Sequence, residues 1–322
     1  MKPALSIVFF TVGSGAGLGL VALVALADWI APDTLSLRVE WRAILLGLGL
    51  LAAGLGSSVL HLARPQNAWR AFSRVKTSWL SREAVLAALL FPVAVIFARL
   101  IATNHSGSAR VGWAVATLLL AWGTLLATAM IYASLKPIRQ WRTVWTPVNY
   151  FLLGHWSGAL LLVATAAAYG SPPGAMVVVA LILGAAGLAG KLAYWAAIGE
   201  KAAGAARAPT LERAIGVPAG VHGPGPLSAA QARLLDVGHS HGTFLTQEFG
   251  FEFARQNART LRIASLALGF GVPALWLLTA AAHWQLGLAA AACGMIGLLA
   301  ERWLFFAEAR HTVRLYHGER RT

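Results

Sequence analysis

The chain has 322 residues, of which 58% are hydrophobic and 12% are charged, and this charged share is about half that of an average soluble domain. Such a composition excludes a water-soluble fold for most of the chain and indicates an integral membrane protein, while the single cysteine, Cys293, excludes disulfides and cysteine-ligated metal or iron–sulfur sites. The net charge of +14 gathers between apolar runs without a nucleic-acid motif, so no nucleic-acid partner is expected.

Apolar runs of about 20 residues are long enough to cross a bilayer as helices. The sequence contains eight of them, at approximately 6–27, 43–63, 84–104, 111–135, 148–169, 174–199, 263–282 and 285–308. The predicted fold class is therefore all-α and integral to the membrane, an eight-transmembrane-helix bundle.

The first run ends near Ala25-Leu26-Ala27, which is similar to a signal-peptidase site. We interpret the run as a span because it is long for a signal peptide and only Lys2 precedes it as a cation. Its glycines predict close helix packing. They are Gly13, Gly15, Gly17 and Gly19.

The loops differ in their content of Lys and Arg, which sets the orientation of membrane helices. The connections after odd-numbered spans contain only Arg38, Arg42 and Arg110, whereas the two ends and the other connections hold 21 of the 26 Lys and Arg residues. Both termini are therefore predicted to be cytoplasmic. The protein is predicted to be a multi-pass protein of the cell inner membrane, with membrane lipid as a partner. Arg99 and Lys191 fall inside spans, and we interpret both as side chains that reach back to the headgroups.

Residues 200–262 form the one long connection, predicted to be a cytoplasmic loop. After a Pro- and Gly-rich half, the segment from Gln231 to Arg262 mixes aromatic residues with both signs of charge at helical spacing. This pattern predicts an amphipathic surface helix, which either rests on headgroups or binds a partner. His239 and His241 lack a third ligand, so no metal site is expected there.

Ionisable groups at the membrane are costly and are therefore candidates for function. His61 ends the second span and Glu83 opens the third, so they bracket one loop at the same membrane depth. Oxidation of a quinol releases protons together with electrons, and a histidine and a buried carboxylate are suitable acceptors. Trp69 and Trp79 offer aromatic walls for such a pocket. The alternatives are an anchoring histidine and a glutamate that complements the helix dipole.

His155 lies about two turns into the fifth span, on the side of His61. It is either a core histidine beside Trp156 or part of the quinone pocket. A b-type haem between His61 and His155, or between His105 and His283, is a further alternative, which the position of most of these histidines at span ends disfavours. Pro92 and Pro273 interrupt two spans without flanking acidic residues, so a secondary transporter is not favoured.

The loop between spans two and three belongs to a longer pattern. It reads His61-Leu62-Ala63-Arg64-Pro65, Asn67-Ala68-Trp69, Ser73-Arg74-Val75 and Ser78-Trp79-Leu80-Ser81-Arg82-Glu83, supported by Trp145-Thr146-Pro147, Asn149-Tyr150-Phe151 and Glu248-Phe249-Gly250. Over nearly the whole chain this pattern resembles the anchor subunits of dimethyl sulfoxide reductase-type molybdoenzymes, which include the anchor subunit of cytoplasmic sulfite dehydrogenase.

The resemblance implies a single membrane anchor domain over residues 1–322, with no haem or iron–sulfur cluster of its own. Such an anchor holds an iron–sulfur electron-transfer subunit and a molybdopterin catalytic subunit, and exchanges electrons with ubiquinone or menaquinone. It does not catalyse the molybdenum reaction. The expected proton-exchanging residues are His61 and Glu83, and the expected quinone site comprises His61, Arg64, Trp69, Trp79, Glu83 and His155.

The family includes reductases that oxidise menaquinol, whose catalytic subunits are usually exported, and sulfite dehydrogenases that reduce quinone from the cytoplasm. The long loop and the expected quinone site both fall on the Lys- and Arg-rich side. We therefore expect the sulfite-oxidising type, with a menaquinol-oxidising anchor, a haem b-containing membrane cytochrome or a purely structural anchor with quinone bound elsewhere as alternatives.

Overall fold

A computed structural model of the chain describes residues 4–32, 34–60, 62, 64–170, 174–203, 257–279 and 284–310. Eight of the described helices are long and apolar enough to cross a membrane, which confirms the predicted fold class. They are α1 (Leu5–Ile30), α2 (Leu37–Leu60), α3 (Trp79–Ala102), α4 (Ser108–Ala133), α5 (Trp145–Ala168), α6 (Gly174–Ala203), α7 (Ala258–Thr279) and α8 (Trp284–Ala307). A short 3₁₀ helix, Pro65–Phe72, lies in the loop between α2 and α3.

Several helices extend beyond the apolar runs that predicted them. α2 begins at Leu37, α3 at Trp79 and α7 at Ala258, each about one turn or more before the predicted start. An apolar run marks only the part of a helix that lies in the hydrocarbon core of the membrane. The helix itself continues through the headgroup region, where charged side chains are stable, so its ends lie outside the run. The long connection is correspondingly shorter than 200–262. Residues 204–256, which hold most of the predicted amphipathic helix with His239 and His241, lie outside the described residues.

Consecutive spans run in opposite directions, so the bundle has two ends. The lower face contains the starts of the odd-numbered helices and the ends of the even-numbered helices, and it is the Lys- and Arg-rich end. The upper face is opposite. A lower-face aromatic cluster, made of Tyr132, Trp141, Tyr150, Tyr194, Phe305 and Phe306, joins the ends of α4, α5, α6 and α8.

α1 is the central helix of the bundle and packs against α2, α4, α5 and α8. The predicted close packing of its glycines is confirmed: Gly13 and Gly17 face α2, whereas Gly15 and Gly19 face α5. A Cβ atom at Gly19 would overlap the backbone of Gly154. Two interleaved small-residue strips therefore let α1 approach two neighbouring helices at backbone contact.

α7 contains a π-helical turn, Ala267–Gly271, just before Pro273. Proline has no backbone N–H, so it cannot donate the α-helical hydrogen bond to the carbonyl group of Gly269. Nε1 of Trp156 in α5 donates to this carbonyl instead, at 2.8 Å, and the Trp156 ring stacks on Phe270. The irregular turn thereby attaches α7 to the centre of the bundle.

Candidate functional site

Glu83 lies near the lower end of α3 and is buried, with 3% of its surface exposed. The first turn of α3 contains no acidic residue, so the interpretation of Glu83 as a first-turn partner of the helix dipole is wrong. The side chain is directed towards α4 rather than towards water. Its environment is therefore that of a carboxyl group inside the bundle, close to the membrane surface.

The start of α3 is fixed by local hydrogen bonds. Ser78 caps the helix, since its hydroxyl oxygen accepts from the backbone N–H of Ser81 at 3.4 Å. Arg82 donates to the carbonyl groups of Val75 and Lys76 at 2.9 and 2.8 Å. These contacts hold the preceding loop against the helix and so determine the depth at which Glu83 enters the bundle.

Thr128 of α4 is the hydrogen-bond partner of Glu83. Its hydroxyl donates to Oε1 of Glu83, and its Oγ1 also lies 3.0 Å from the carbonyl oxygen of Thr124. A hydroxyl group has one hydrogen to donate, but its oxygen can also accept. When Glu83 is ionised, Thr128 donates to the carboxylate; when Glu83 is protonated, the carboxyl group donates to Oγ1 and Thr128 donates to Thr124. Glu83 therefore has a partner in both protonation states.

Two tyrosines extend this site towards the aromatic cluster. Tyr132 lies one turn after Thr128 on α4, and its ring stacks on that of Tyr150 with 5.7 Å between centroids. Sequence reasoning did not include them in the site, although the helical spacing of Tyr132 from Thr128 was visible.

The predicted loop residues occupy different environments. Trp79 is half-buried beside Glu83 on α3, with the Arg82 guanidinium carbon 4.2 Å from its ring centroid. Arg64 is exposed, and Trp69 is 65% exposed on the 3₁₀ helix. His61 lies outside the described residues. The structure thus places Trp79 near Glu83 and puts Arg64 and Trp69 on the outer surface of the loop.

His155 is partly buried near the middle of α5 rather than at the lower face. Its Nδ1 lies 2.7 Å from the carbonyl oxygen of Phe151, and its Nε2 accepts from Nε1 of Trp122 at 3.0 Å. The tautomer that satisfies both contacts carries its proton on Nδ1. Binding of iron or of a quinone oxygen at Nε2 would have to replace the Trp122 hydrogen bond. His105, of the second predicted haem pair, is exposed, and His283 lies outside the described residues.

A buried ion cluster, which sequence reasoning missed, consists of Lys191, Glu301 and Arg302. The Lys191 ammonium and the Arg302 Nε both contact the Glu301 carboxylate, and Arg302 Nη2 donates to Glu301 Oε1 at 2.8 Å. All three residues are at most 4% exposed. The interpretation of Lys191 as a side chain that reaches the headgroups is therefore wrong, because a partner from another helix neutralises it inside the bundle. Arg99 is exposed in the last turn of α3, as expected.

Aromatic rings surround these cations. The Lys191 ammonium lies 4.3 Å from the Tyr194 ring centroid, and the Arg302 guanidinium carbon lies 4.6 Å from that of Phe305 and 4.9 Å from that of Tyr150. A cavity of about 20 Å³, large enough for one water molecule, adjoins Tyr150, Glu301 and Arg302. The signal that was available in the sequence was the adjacent Glu301-Arg302 pair inside an apolar span.

A second missed group, the upper-face triad, joins α1, α2 and α4. Arg110 forms ion pairs with Asp28 and, at 2.9 Å, with Glu40, and both carboxylates are nearly inaccessible to water. The triad lies at the end of the bundle opposite Glu83. It connects three helix ends, so we interpret it as a structural contact.

The described residues contain no group of three or more His, Cys, Asp or Glu side chains that could hold a metal ion. Cys293 is free in α8, and its Sγ lies 3.5 Å from the Leu268 carbonyl oxygen.

Comparisons with known proteins agree on one protein family. The family model of the DMSO reductase anchor subunit (DmsC) matches residues 1–306. The C subunit of sulfite dehydrogenase from Allochromatium vinosum is 35% identical over 340 aligned residues, which cover 98% of this chain and 99% of that protein. The C polypeptide of anaerobic dimethyl sulfoxide reductase from Escherichia coli is 29% identical over 119 residues, 37% of this chain and 40% of that protein.

The family match extends from the start of the chain into the last turn of α8, so it includes all eight spans, with Trp79 and Glu83 on α3, and the loop between α2 and α3. The predicted resemblance is confirmed. The chain belongs to the DMSO reductase anchor subunit (DmsC) family and is the membrane anchor subunit of an oxidoreductase complex of the DMSO reductase or sulfite dehydrogenase type.

Proposed function

We propose that the chain is the quinone-reactive anchor of a three-subunit complex, in which a molybdopterin subunit oxidises sulfite and an iron–sulfur subunit passes the electrons to this anchor. Oxidation of sulfite with water to sulfate releases two electrons and two protons. Reduction of one quinone to quinol consumes two electrons and two protons. Quinone reduction at the lower face therefore needs a group that delivers protons from the cytoplasm, and Glu83 is that group.

The observation that carries the proposal is the dual hydrogen bond of Thr128. A residue that transfers protons must be stable both with and without its proton, and a buried carboxyl group is costly when either state lacks a partner. Thr128 provides a donor to the carboxylate and an acceptor for the carboxylic acid without movement of the backbone. Protonated Glu83 donates its proton to a quinone oxygen and is reprotonated from the lower face, with His61 as the expected second proton donor.

The loop between α2 and α3 offers a surface for the iron–sulfur partner. Leu60, Trp69 and Phe72 expose 79%, 65% and 51% of their surface. Two exposed cations, Arg64 and Arg70, alternate with these apolar residues along the chain, and exposed Arg74 follows them. Large aromatic residues interspersed with arginine are typical of protein interfaces, and this surface lies beside the start of α3 that carries Glu83.

The proposed direction rests on charge and on similarity. The lower face is the Lys- and Arg-rich end, which the positive-inside rule places on the cytoplasmic side of the inner membrane. Both termini are then cytoplasmic as well. A partner on this face is then cytoplasmic. The full-length similarity to a subunit of sulfite dehydrogenase favours sulfite oxidation over the menaquinol-oxidising alternative.

The quinone role is tested with Glu83→Gln in the assembled complex. Sulfite-dependent reduction of decylubiquinone is expected to fall by about 10²–10⁴-fold, the usual contribution of a general acid or base. Sulfite-dependent reduction of ferricyanide, which accepts electrons from the partner subunits directly, is expected to persist. Full decylubiquinone reduction by the variant would remove Glu83 from the mechanism. Reduction of ferricyanide without sulfite dependence would instead contradict the substrate assignment.

Thr128 provides a second, more selective test. Thr128→Ser keeps the hydroxyl group and is expected to retain quinone reduction, whereas Thr128→Val removes it and is expected to reduce the rate. Thr117→Val is the matched control on α4, because the Thr117 hydroxyl is buried without a hydrogen-bond partner among the described residues. Equal rates in the Thr128→Val and Thr117→Val variants would contradict the proposed hydrogen-bond switch.

The orientation is tested by labelling in intact cells. With Cys293 replaced by alanine, a cysteine is placed either at Thr77, in the exposed lower loop, or at His105, in the exposed upper loop. A membrane-impermeant maleimide applied from the periplasm is expected to label only the His105→Cys variant. Labelling of Thr77→Cys in unbroken cells would reverse the proposed orientation.

A further inference from the structure

A groove opens in the upper half of the bundle, at the opposite end from Glu83. α5 forms its floor, and α2 and α8 form its walls. Its volume is about 470 Å³, within the range of roughly 300–1,000 Å³ that is usual for small-molecule sites. The floor extends from Tyr169 to Leu161, a depth of about 12 Å at 1.5 Å per helical residue.

The groove lining is apolar apart from the side chains of Arg42, Thr165 and Tyr169. The Thr165 hydroxyl already donates to the Leu161 carbonyl oxygen at 2.7 Å within α5. The described lining contains neither a carboxyl group nor an imidazole that could exchange protons with a quinone. Ala168 and Ala292 are exposed along it, so an acyl chain can enter from the side of the membrane.

Arg42 lies at the upper end of this groove. Its guanidinium carbon is 4.3 Å from the Trp41 ring centroid and 4.5 Å from the Tyr169 ring centroid, and its Nη1 donates to the Arg38 carbonyl oxygen at 3.1 Å. Tryptophan and tyrosine side chains are typical of the headgroup level. The two rings therefore hold a cation at the depth of lipid phosphates.

The charge of Arg42 is not neutralised within the described part of the chain. No ion pair among the described residues includes it; the upper-face carboxylates of Asp28 and Glu40 pair with Arg110 instead. A guanidinium group has five N–H donors, and the described hydrogen bond uses one of them. The remaining donors fit the oxygens of a phosphodiester, which arginine binds with charge-assisted hydrogen bonds.

We propose that this groove is a phospholipid site, in which the Arg42 guanidinium binds the phosphodiester and the gap between α2 and α8 holds an acyl chain. The lipid completes the packing of two helices that both contact α5. The site is separate from the proposed quinone chemistry, because it lies at the other end of the bundle and lacks proton-exchanging groups.

The test is native mass spectrometry of the purified complex after delipidation and titration with dioleoylphosphatidylglycerol. Arg42→Ala removes the cation, and Ala292→Phe fills the groove from an exposed position without changing the charge. Each is expected to weaken binding of one lipid per chain by about tenfold or more, the usual effect of losing charge-assisted hydrogen bonds or the space for the ligand. Arg38→Ala, an exposed cation one turn away on α2, is the control and is expected to bind as the unchanged chain does.

Unchanged lipid binding in both Arg42→Ala and Ala292→Phe would overturn the proposal. An equal loss in Arg38→Ala would also overturn it, since the attraction would then be a general effect of surface charge. The proposal would also be overturned if decylubiquinone, rather than the phospholipid, occupied the groove in an Arg42-dependent manner. Quinone reduction by the three variants is expected to match that of the unchanged complex, so failure of this proposal is distinguishable from failure of the Glu83 assignment.

Discussion

The buried ion cluster predicts an unequal response to the loss of its charges. Glu301 is the single carboxylate between Lys191 and Arg302, and the cluster carries a net charge of +1 as a result. Lys191→Met leaves a neutral Glu301–Arg302 pair. Glu301→Gln leaves two cations without a counter-charge in the interior. The double variant restores a net charge of +1, with Arg302 alone.

The magnitudes follow from burial and distance. Removing the shared carboxylate is expected to cost about 3–5 kcal/mol, since it leaves uncompensated buried charge. Lys191→Met loses one ion pair and its contact with the Tyr194 ring, for which we expect a cost of about 1–2 kcal/mol. Repulsion between two cations roughly 5 Å apart at an effective dielectric constant of about 20 is about 3 kcal/mol. The second mutation should therefore recover part of the stability that Glu301→Gln loses.

The assay is thermal unfolding of the purified chain in detergent, followed by tryptophan fluorescence and by size-exclusion elution. The expected order of apparent Tm is unchanged chain, Lys191→Met, double variant and then Glu301→Gln. Glu308→Gln is the control, because the partly exposed pair of Glu308 with Arg262 is expected to contribute only about 0–1 kcal/mol. A double variant that is less stable than Glu301→Gln alone would refute the shared-carboxylate reasoning.

Three further predictions concern packing and the other polar contacts. Gly19→Ala is expected to lower the apparent Tm, because the added methyl group would overlap the α5 backbone. Gly49→Ala is expected to stabilise α2 by about 0.5–1 kcal/mol, because no atom lies within 4 Å of the added methyl group. Arg110→Met leaves two buried carboxylates unpaired and is expected to lower the apparent Tm through a loss of about 3–5 kcal/mol of stability, whereas Arg38→Ala, which removes an exposed cation, is expected to change it little; equal losses would contradict the triad. Trp156→Phe leaves the Gly269 carbonyl group unpaired at an expected cost of about 1–3 kcal/mol, measured in the same way against Trp29→Phe, an exposed tryptophan.

Much of the fold was predictable because the bilayer acts on each helix separately. The number of spans follows from the length of apolar runs, and the close approach of α1 to its neighbours follows from the spacing of its glycines, Gly13, Gly15, Gly17 and Gly19. Helix ends were less predictable. Hydropathy falls where charged residues begin, yet α2 already begins at Leu37 and includes Glu40, whose carboxylate pairs with Arg110.

The candidate site was predicted only in outline. Glu83 was predicted as a site residue from its place at the start of a span, and this assignment stays a prediction; the structure shows that its side chain is buried. Its partner Thr128 could not be identified, because which residues of α4 face α3 depends on the rotation of both helices. For the same reason the hydrogen bonds of His155 to Trp122 and Phe151 were not foreseen.

The sequence by itself determined the membrane class of the chain, its eight spans and, through the pattern of residues from His61 to Glu83, its family. These properties are read along the chain, within windows about as long as one helix. Only the tertiary structure decided which ionisable groups meet, as Lys191 and Glu301 do from different helices. A charge inside a membrane bundle is stable only beside its partner, and that partner is set by packing in three dimensions rather than by distance along the chain.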